Sequence, residues 1–515
     1  MNKENEKFYI TTPIYYVNDI PHIGHAYTTI ICDTIARYNR WLGKDVAFLT
    51  GTDEHGQKVE KSAQKAKLEP QAFTDKVSKS FLDLTDKLQI TNSDFIRTTE
   101  QRHKKGVINL WNQLEKQGDI YLDKYAGWYS VRDEAFYSND EVTDNENGEK
   151  IAPTGSICEW GEEPSYFFKL SAWQDKLIEY YKNNPDFISP KTRYNEVISF
   201  VSSGLEDLSI SRTTFKWGIQ VPNNSDHIIY VWLDALTNYI SAINYPNTDS
   251  KEWNNFWPAS IHVVGKDILR FHAVYWPAFL MAAGIELPKK IYAHGWWTVN
   301  NQKMSKSLGN VVDPNKIIDN YGLDQVKYFL LREVKFGQDG DYSEDALLKR
   351  SNSDLANDYG NLVQRVLSFI YKNCDNKIPQ ANKLSEQDKL LLKSVEKTKN
   401  NILNLMNNYE ITGALEELWK IIRESNIYID NEAPWALKNT NINRMHTVLN
   451  TLCNVIRKIS LIALNFVPEG ANKILNQLAI DEDKRNYINF NDKLKENVID
   501  KPYGVFPRLD KKHDR

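Results

Sequence analysis

Residues 8–12, Phe-Tyr-Ile-Thr-Thr, and residues 46–49, Val-Ala-Phe-Leu, are short β-rich runs, and a helix-like stretch, 28–42, lies between them. A strand, a helix and a second strand in this order imply parallel pairing through a right-handed crossover. Three later apolar runs, 228–232, 261–264 and 290–294, read as further strands of the same sheet. The runs end in polar or aromatic residues: Tyr16, Asp53, Asp234, Asp267 and His294. Ligands of an open parallel sheet bind at the carboxyl ends of its strands. The gap between the two sets makes residues 116–210 an insertion, with a polar, turn-rich stretch at 138–150 and aromatic strands around Gly127-Trp128-Tyr129 and Tyr166-Phe167-Phe168. From about residue 345 the pattern changes to helical spacing, at 361–371, 389–407, 413–430 and 447–466, which predicts a bundle of roughly 165 residues.

Composition narrows the class. The chain has 515 residues, enough for about three domains. At 41% hydrophobic and 26% charged it reads as a soluble globular protein. No apolar stretch reaches the length of a membrane span; residues 273–283 are interrupted by Pro277. The polar N-terminus runs straight into a strand, so no leader is expected and a cytoplasmic location is the default. A net charge of −4 argues against a general polyanion binder but allows one local basic face. Cys32, Cys158, Cys374 and Cys453 form no C-x-x-C pair, which disfavours a disulfide framework or a zinc knuckle.

Two motifs carry the chemistry: Pro21-His22-Ile23-Gly24-His25 and Lys303-Met304-Ser305-Lys306-Ser307. A given pentapeptide arises by chance in on the order of 1 in 10,000 chains this long, so the two together outweigh either alone. His22 and His25 fall on one side of a helix's first turn, where free N–H groups and the dipole favour an anion. Gly24 leaves room for a nucleotide to approach the backbone. Lys303 and Lys306 flank a Met-Ser turn that can close on phosphate as charge develops. Read separately, these are a packed helix start and two solvated charges. Read together, they form an ATP site closed from two sides, with no need for a covalent nucleophile.

On these residues the chain resembles the class I aminoacyl-tRNA synthetases, and among them the methionyl-tRNA synthetases over its whole length. Also matching are residues 12–18 (Thr-Pro-Ile-Tyr-Tyr-Val-Asn), 51–56 (Gly-Thr-Asp-Glu-His-Gly), 230–235 (Tyr-Val-Trp-Leu-Asp-Ala), 265–272 (Gly-Lys-Asp-Ile-Leu-Arg-Phe-His) and 294–296 (His-Gly-Trp). The resemblance implies a Rossmann-type parallel-sheet catalytic domain split by an insertion, followed by an all-α anticodon-binding helical bundle. Its segments would be 1–115 and 211–290 for the catalytic halves, 116–210 for the insertion, 291–350 for the region of residues 303–307, and 351–515 for the bundle. It implies a ligase that activates L-methionine with ATP and Mg²⁺ and charges tRNA(Met). Aromatic, polarizable walls suit a thioether. By the resemblance they comprise Ile14, Tyr16, Trp232, Ala235, Leu236, Tyr239, Ile268, Phe271, His272 and Trp276. Any one of these could be ordinary core; their order matches the family. Asp53 would receive the α-ammonium group, and Arg212 and Asp267 would lie near the reacting carboxylate and nucleotide, although a surface Arg and a capping Asp are the plain readings. Asp267 joins His22, Gly24, His25, Lys303 and Lys306 as an expected ATP contact.

For tRNA, Asn361 and Arg365 share a helical face, and Trp435 follows Pro434 at a helix junction; all three resemble anticodon-reading residues. In the insertion this chain departs from the family. Many members hold zinc with paired cysteines, whereas here residues 130–133 read Ser-Val-Arg-Asp and Cys158 stands alone, so no structural zinc is expected. A synthetase for another apolar amino acid, or a nucleotidylyltransferase, would share the two ATP motifs but not the ring set or the bundle. A non-catalytic tRNA-binding relative would have lost the histidines or lysines. The ending near Phe506-Pro507-Arg508 leaves no room for a dimerisation module, so a monomer is expected.

Overall fold

The computed structural model describes residues 6–18, 20–133, 135–299, 302–304, 310–494 and 496–511. The chain divides into two compact units. One comprises residues 7–21 and 47–294; the other comprises residues 22–46 and 295–515 with the N-terminal six residues.

The first unit is built on a seven-stranded sheet. Its order is Ile188–Ser189, Ile291–His294, Ile261–Gly265, Lys7–Thr11, Asp45–Asp53 and Tyr15–Tyr16, and Asp94–Arg97 also pairs with Asp45–Asp53. The described registers are parallel: Ile10 lies opposite Ile261, Val264 opposite Ala293, and Tyr16 opposite Asp53. Lys7–Thr11, Ile261–Gly265 and Ile291–His294 are almost continuously buried, as strands of a sheet covered on both faces must be. Helix Gln101–Lys116 buries His103, Gly106, Val107, Leu110, Trp111 and Leu114, a stripe at helical spacing.

Two sequence expectations change here. Residues 228–232 are not a fifth parallel strand. Asn224–Ile229 is the middle strand of a separate antiparallel sheet, between Ser211–Arg212 and Gln220–Val221. The chain then turns at Tyr230 into helix Val231–Leu236, so Trp232 is helical. A short apolar run fits a buried helical turn as well as a buried strand. Phe271–Tyr275 forms a π-helical turn, a local widening that no periodicity announces.

The insertion is an antiparallel ribbon of Ile120–Ser130 against Ile157–Phe168. At its far end the Asp133 carboxylate accepts from the hydroxyls of Ser130, Thr154, Ser156 and Tyr137. Burial alone would push this carboxyl up, but the hydroxyls of Ser156, Thr154 and Ser130 hold it below the usual range. Ser130 and Asp133, the positions at which the resemblance would put a first cysteine pair, both belong to this oxygen cluster. Cys158 is buried beside Tyr137, Val142 and Ala152. Among the described residues no group of three or more His, Cys, Asp or Glu is placed to hold a metal ion.

The second unit joins helix Ile23–Trp41, a small sheet of Gln302–Lys303, Trp297–Val299 and Gly340–Tyr342, and the helices that follow. The expected bundle segments fall within Asn361–Asn373, Glu386–Asn407, Ile411–Glu432 and Ile442–Ala463, the last running three residues short of its expected end. Helix Pro468–Gln477 was not foreseen. Asp33 of the first helix accepts from Arg37 Nε (2.7 Å) and buried Lys327 Nζ (3.3 Å). One turn before Lys327, Asp324 accepts from Gly470 N (2.6 Å), at the start of Pro468–Gln477. Among the described residues no helix is long and apolar enough to cross a membrane.

Gly51 pairs with Ile96 across the strands Asp45–Asp53 and Asp94–Arg97, and a Cβ there would lie 2.0 Å from the Ile96 carbonyl oxygen. Gly51→Ala should therefore cost at least about 1–3 kcal/mol. An unchanged urea midpoint in this variant would contradict the register. Two histidines, His262 and His272, are sealed in this unit's core. Burial pushes His262 well below its usual pKa and lowers His272 to about 4. Below pH 6.5 the unfolded chain takes up protons that these folded imidazoles refuse, so stability falls with pH. Asp324 opposes this, since burial raises its carboxyl to about 6 and the folded state gains a proton there. With His25, which burial also pushes well below its usual pKa, these imidazoles outweigh the one carboxyl, so net stability falls between pH 7 and 5. A denaturation midpoint that stays flat or rises over that range would contradict this burial.

Candidate active site

The sequence-predicted residues are distributed over both units. In the second, His22 caps helix Ile23–Trp41. Its Nδ1 accepts from Gly24 N (3.0 Å), and His25 Nδ1 accepts from His22 N (3.1 Å), closing a capping box. The imidazoles stack with centroids 3.8 Å apart. Because each Nδ1 accepts, each neutral ring carries its proton on Nε2. Burial and the neighbouring His22 push His25 well below its usual pKa, so its ring is a neutral donor. The first turn contains no acidic residue.

The expectation of free backbone N–H groups at this helix start is corrected by the structure. Ile23 N donates to Val312 O (3.1 Å), Gly24 N to the His22 ring, and His25 N and Ala26 N to His22 O. The imidazole Nδ1 atoms, not a bound anion, thus take up two of the amides the sequence suggested. A Cβ on Gly24 would lie 2.9 Å from His22 Cε1 and disturb the stack.

The bond from Ile23 to Val312 ties the histidine helix to the chain emerging from residues 303–307. On the near side of that stretch, Lys303 ends a strand opposite Thr298, and Trp297 of the same hairpin meets Tyr27 of the helix edge-on at 5.4 Å. Gly295, just before the hairpin, lies against the Gln338 backbone, where a Cβ would come within 2.3 Å of the Gln338 carbonyl oxygen. Lys306 lies outside the described residues.

In the first unit the predicted rings converge. Trp232 and Phe271 stack at 3.7 Å and 6°. His272 meets Trp232 edge-on at 6.2 Å, and Trp276 lies 6.1 Å from Tyr239. The Tyr239 hydroxyl lies 2.7 Å from His272 Nε2, and His272 Nδ1 lies 2.9 Å from the Ile268 carbonyl. A carbonyl only accepts, so Nδ1 carries the proton and Nε2 accepts from the Tyr239 hydroxyl. The π-helical turn Phe271–Tyr275 sets the spacing of Phe271, His272 and Trp276. Ala235 and Leu236 are buried in helix Val231–Leu236, and Ile14, Tyr16 and Ile268 pack partly buried on the same core. Asp53 is 7% exposed, at the end of its strand and directly opposite Tyr16.

Asp267 is exposed in the turn after strand Ile261–Gly265, and a Cβ on Gly265 would lie 2.5 Å from its Oδ1. Arg212 is buried, not a surface residue. Its guanidinium lies over Phe136 (4.7 Å), Tyr230 (4.8 Å) and Tyr129 (5.6 Å), and Nη1 donates to the Ser211 carbonyl (2.7 Å) and the Ser209 hydroxyl (2.8 Å). In the bundle, the Arg365 guanidinium lies 5.3 Å from the centre of the Trp435 ring and pairs with Asp430 at 2.5 Å. Trp435 is 46% exposed, just after Ala433, whose φ of 41° turns the chain. Asn361 is exposed one turn before Arg365.

Sequence reasoning gave no role to the layer behind the rings. His262 stacks on Tyr239 at 4.2 Å and is fixed by Thr11 Oγ1 (2.8 Å). His55 and His103 both reach the Asp234 carboxylate at 2.7 Å. The available signal was a motif, residues 51–56, that carried a histidine with nothing assigned to it.

Residues 8–367 match the family model of class I tRNA synthetases (M), and residues 378–501 match that of the anticodon binding domain of methionyl tRNA ligase. The chain is 57% identical over 485 residues to a methionine–tRNA ligase of Rickettsia conorii, covering 93% of this chain and 94% of the relative. It is 54% identical over 515 residues to that of Rickettsia bellii, covering 98% and 100%. Its fold is similar to Mycobacterium tuberculosis methionyl-tRNA synthetase solved in complex with methionyl-adenylate, with a TM-score of 0.96 at 46% identity over 98% of this chain and 100% of that one. With the signature helix, the ring cluster and the helical bundle in that family's order, this chain belongs to the class I methionyl-tRNA synthetases.

Proposed function

We propose that the protein is a methionine–tRNA ligase. A carboxylate oxygen of L-methionine attacks the α-phosphorus of ATP, supplied as its magnesium complex, and the bond to the β-phosphate oxygen breaks. The products are methionyl-adenylate and pyrophosphate. A terminal ribose hydroxyl of tRNA(Met) then attacks the activated carbonyl and AMP leaves. The observation that carries the choice of amino acid is the Tyr239–His272 pair between Trp232 and Trp276. With the Tyr239 proton committed to His272, the rings offer a thioether polarizable faces.

The roles rest on the family resemblance together with the geometry of the described residues. The Nε2–H groups of His22 and His25 donate to phosphate oxygens, and Gly24 keeps the approach open. Lys303 and Lys306 neutralise the charge that grows on the leaving pyrophosphate. Asp53 receives the α-ammonium group. Asp267 stands at a strand end suited to the nucleotide. Arg212, held by rings and carbonyls, supplies fixed positive charge near the reacting carboxylate. Arg365 and Trp435 present a cation and a ring face to an anticodon base, with Asn361 as an edge partner. The segments 1–115 and 211–290 form the catalytic halves around the insertion 116–210, and 291–350 links them to the bundle 351–515. The same reading places the enzyme in the cytoplasm as a monomer.

Amino-acid-dependent ATP–pyrophosphate exchange should occur with methionine and fall by about 10²–10³ in His25→Ala. Absence of exchange with methionine sinks the assignment, and an undiminished rate in His25→Ala sinks the site. Trp435→Ala should raise the KM for tRNA by about 10–100-fold while leaving exchange unchanged. Equal loss in both assays would remove the tRNA role from Trp435.

A further inference from the structure

Behind the ring cluster lies a buried chain of polar side chains that binding and catalysis, as described so far, do not use. Asp234 sits in helix Val231–Leu236, between Trp232 and Ala235, and is fully buried. Its two carboxylate oxygens have separate partners. Oδ2 lies 2.7 Å from His55 Nδ1, and Oδ1 lies 2.7 Å from His103 Nε2. His103 Nδ1 in turn lies 2.9 Å from the Ser241 hydroxyl. His55 and His103 are 2% and 0% exposed.

The order Ser241–His103–Asp234 has the connectivity of a hydrolytic triad, but Ser241 is 1% exposed, so no carbonyl substrate can reach its hydroxyl. The cluster must therefore act on structure around it. Burying a carboxylate is costly unless its lone pairs are satisfied, and breaking such a pair is far more disruptive than its net stabilisation suggests. Burial alone would raise the Asp234 carboxyl; instead the charge and hydrogen bonds of His55 and His103 hold it down at about 2, so it is ionised throughout the working range.

What the cluster joins is specific. His55 follows two residues after Asp53, on a segment fixed at several points. Glu54 accepts from Arg97 through both oxygens (2.6 and 3.0 Å), Trp217 Nε1 donates to the Glu54 carbonyl (2.5 Å), and Gly56 turns with φ 110°. Asp234 belongs to the helix that carries Trp232, Ala235 and Leu236. His103 braces the same carboxylate from helix Gln101–Lys116.

We propose that Asp234 is a positioning residue for amino-acid binding: through His55 it sets the helix bearing Trp232, Ala235 and Leu236 in register with Asp53. This rests on the reading above, in which Asp53 takes the ammonium group and those three residues take the side chain. A substrate that spans both groups senses their separation, and a misplacement of about 1 Å costs on the order of 10²-fold. ATP does not span them.

The test is steady-state pyrophosphate exchange on the full chain. Asp234→Asn keeps the shape but removes the charge. It should raise the methionine KM at least tenfold while the ATP KM stays within twofold. His55→Asn, whose amide can donate from the Nδ1 position, should come within about threefold of the parent, and His55→Leu should behave like Asp234→Asn. An unchanged methionine KM in Asp234→Asn overturns the proposal. So does a parallel rise of both KM values with a lowered thermal midpoint and no advantage of His55→Asn over His55→Leu, the pattern of a purely structural role. Asp53→Asn separates the two layers of the argument. If its methionine KM is unchanged, the ammonium assignment falls and the coupling with it; if it rises while Asp234→Asn is silent, only the coupling falls.

Discussion

The second unit is organised around the start of helix Ile23–Trp41, where four amide hydrogens need acceptors and no acidic side chain stands in the first turn. Two histidine rings meet part of this need from within, accepting from His22 N and Gly24 N. Each uses Nδ1 to accept from the backbone, and their rings stack as a result. The helix start is thereby closed without negative charge. A carboxylate cap would satisfy the same amides but repel phosphate.

From that point the constraint runs both ways along the unit. Ile23 holds the segment at Val312, so the residues after the lysine motif return to the histidines. Asp33, two to three turns along the helix, meets buried Lys327 and half-buried Arg37. Asp324, on the same helix as Lys327, accepts from the first turn of Pro468–Gln477. Buried polar groups of this kind tolerate little displacement, because each loses a partner as soon as the spacing opens. They form a continuous set of directional contacts from the histidine pair into the bundle.

How much of this could be read in the sequence depended on the kind of signal. Periodicity found the bundle, because Asn361–Asn373 through Ile442–Ala463 keep an apolar face for many turns. It failed at 228–232, where five apolar or aromatic residues fit a strand or a buried helical turn equally well, and the chain takes both in succession. It also missed the π-helical turn at Phe271–Tyr275, a widening that no regular spacing of apolar residues encodes. The motif order located the ring set and Trp435. It gave no hint that Arg212 is enclosed by Tyr129, Phe136 and Tyr230, because those contacts come from residues 18–83 positions away in sequence. The His55–Asp234–His103 cluster was similarly hidden: Asp234 lies 179 residues from His55 and 131 from His103.

The far end of the insertion is closed by oxygen atoms: Asp133 gathers the hydroxyls of Ser130, Thr154, Ser156 and Tyr137. The neighbouring Cys158 is buried, and burial raises its thiol, keeping it in the unreactive protonated form. Serine, threonine and aspartate have no accessible oxidation states under peroxide, whereas a thiolate clasp is dismantled by it. The ribbon tip of this enzyme is therefore closed by chemistry indifferent to oxidative stress.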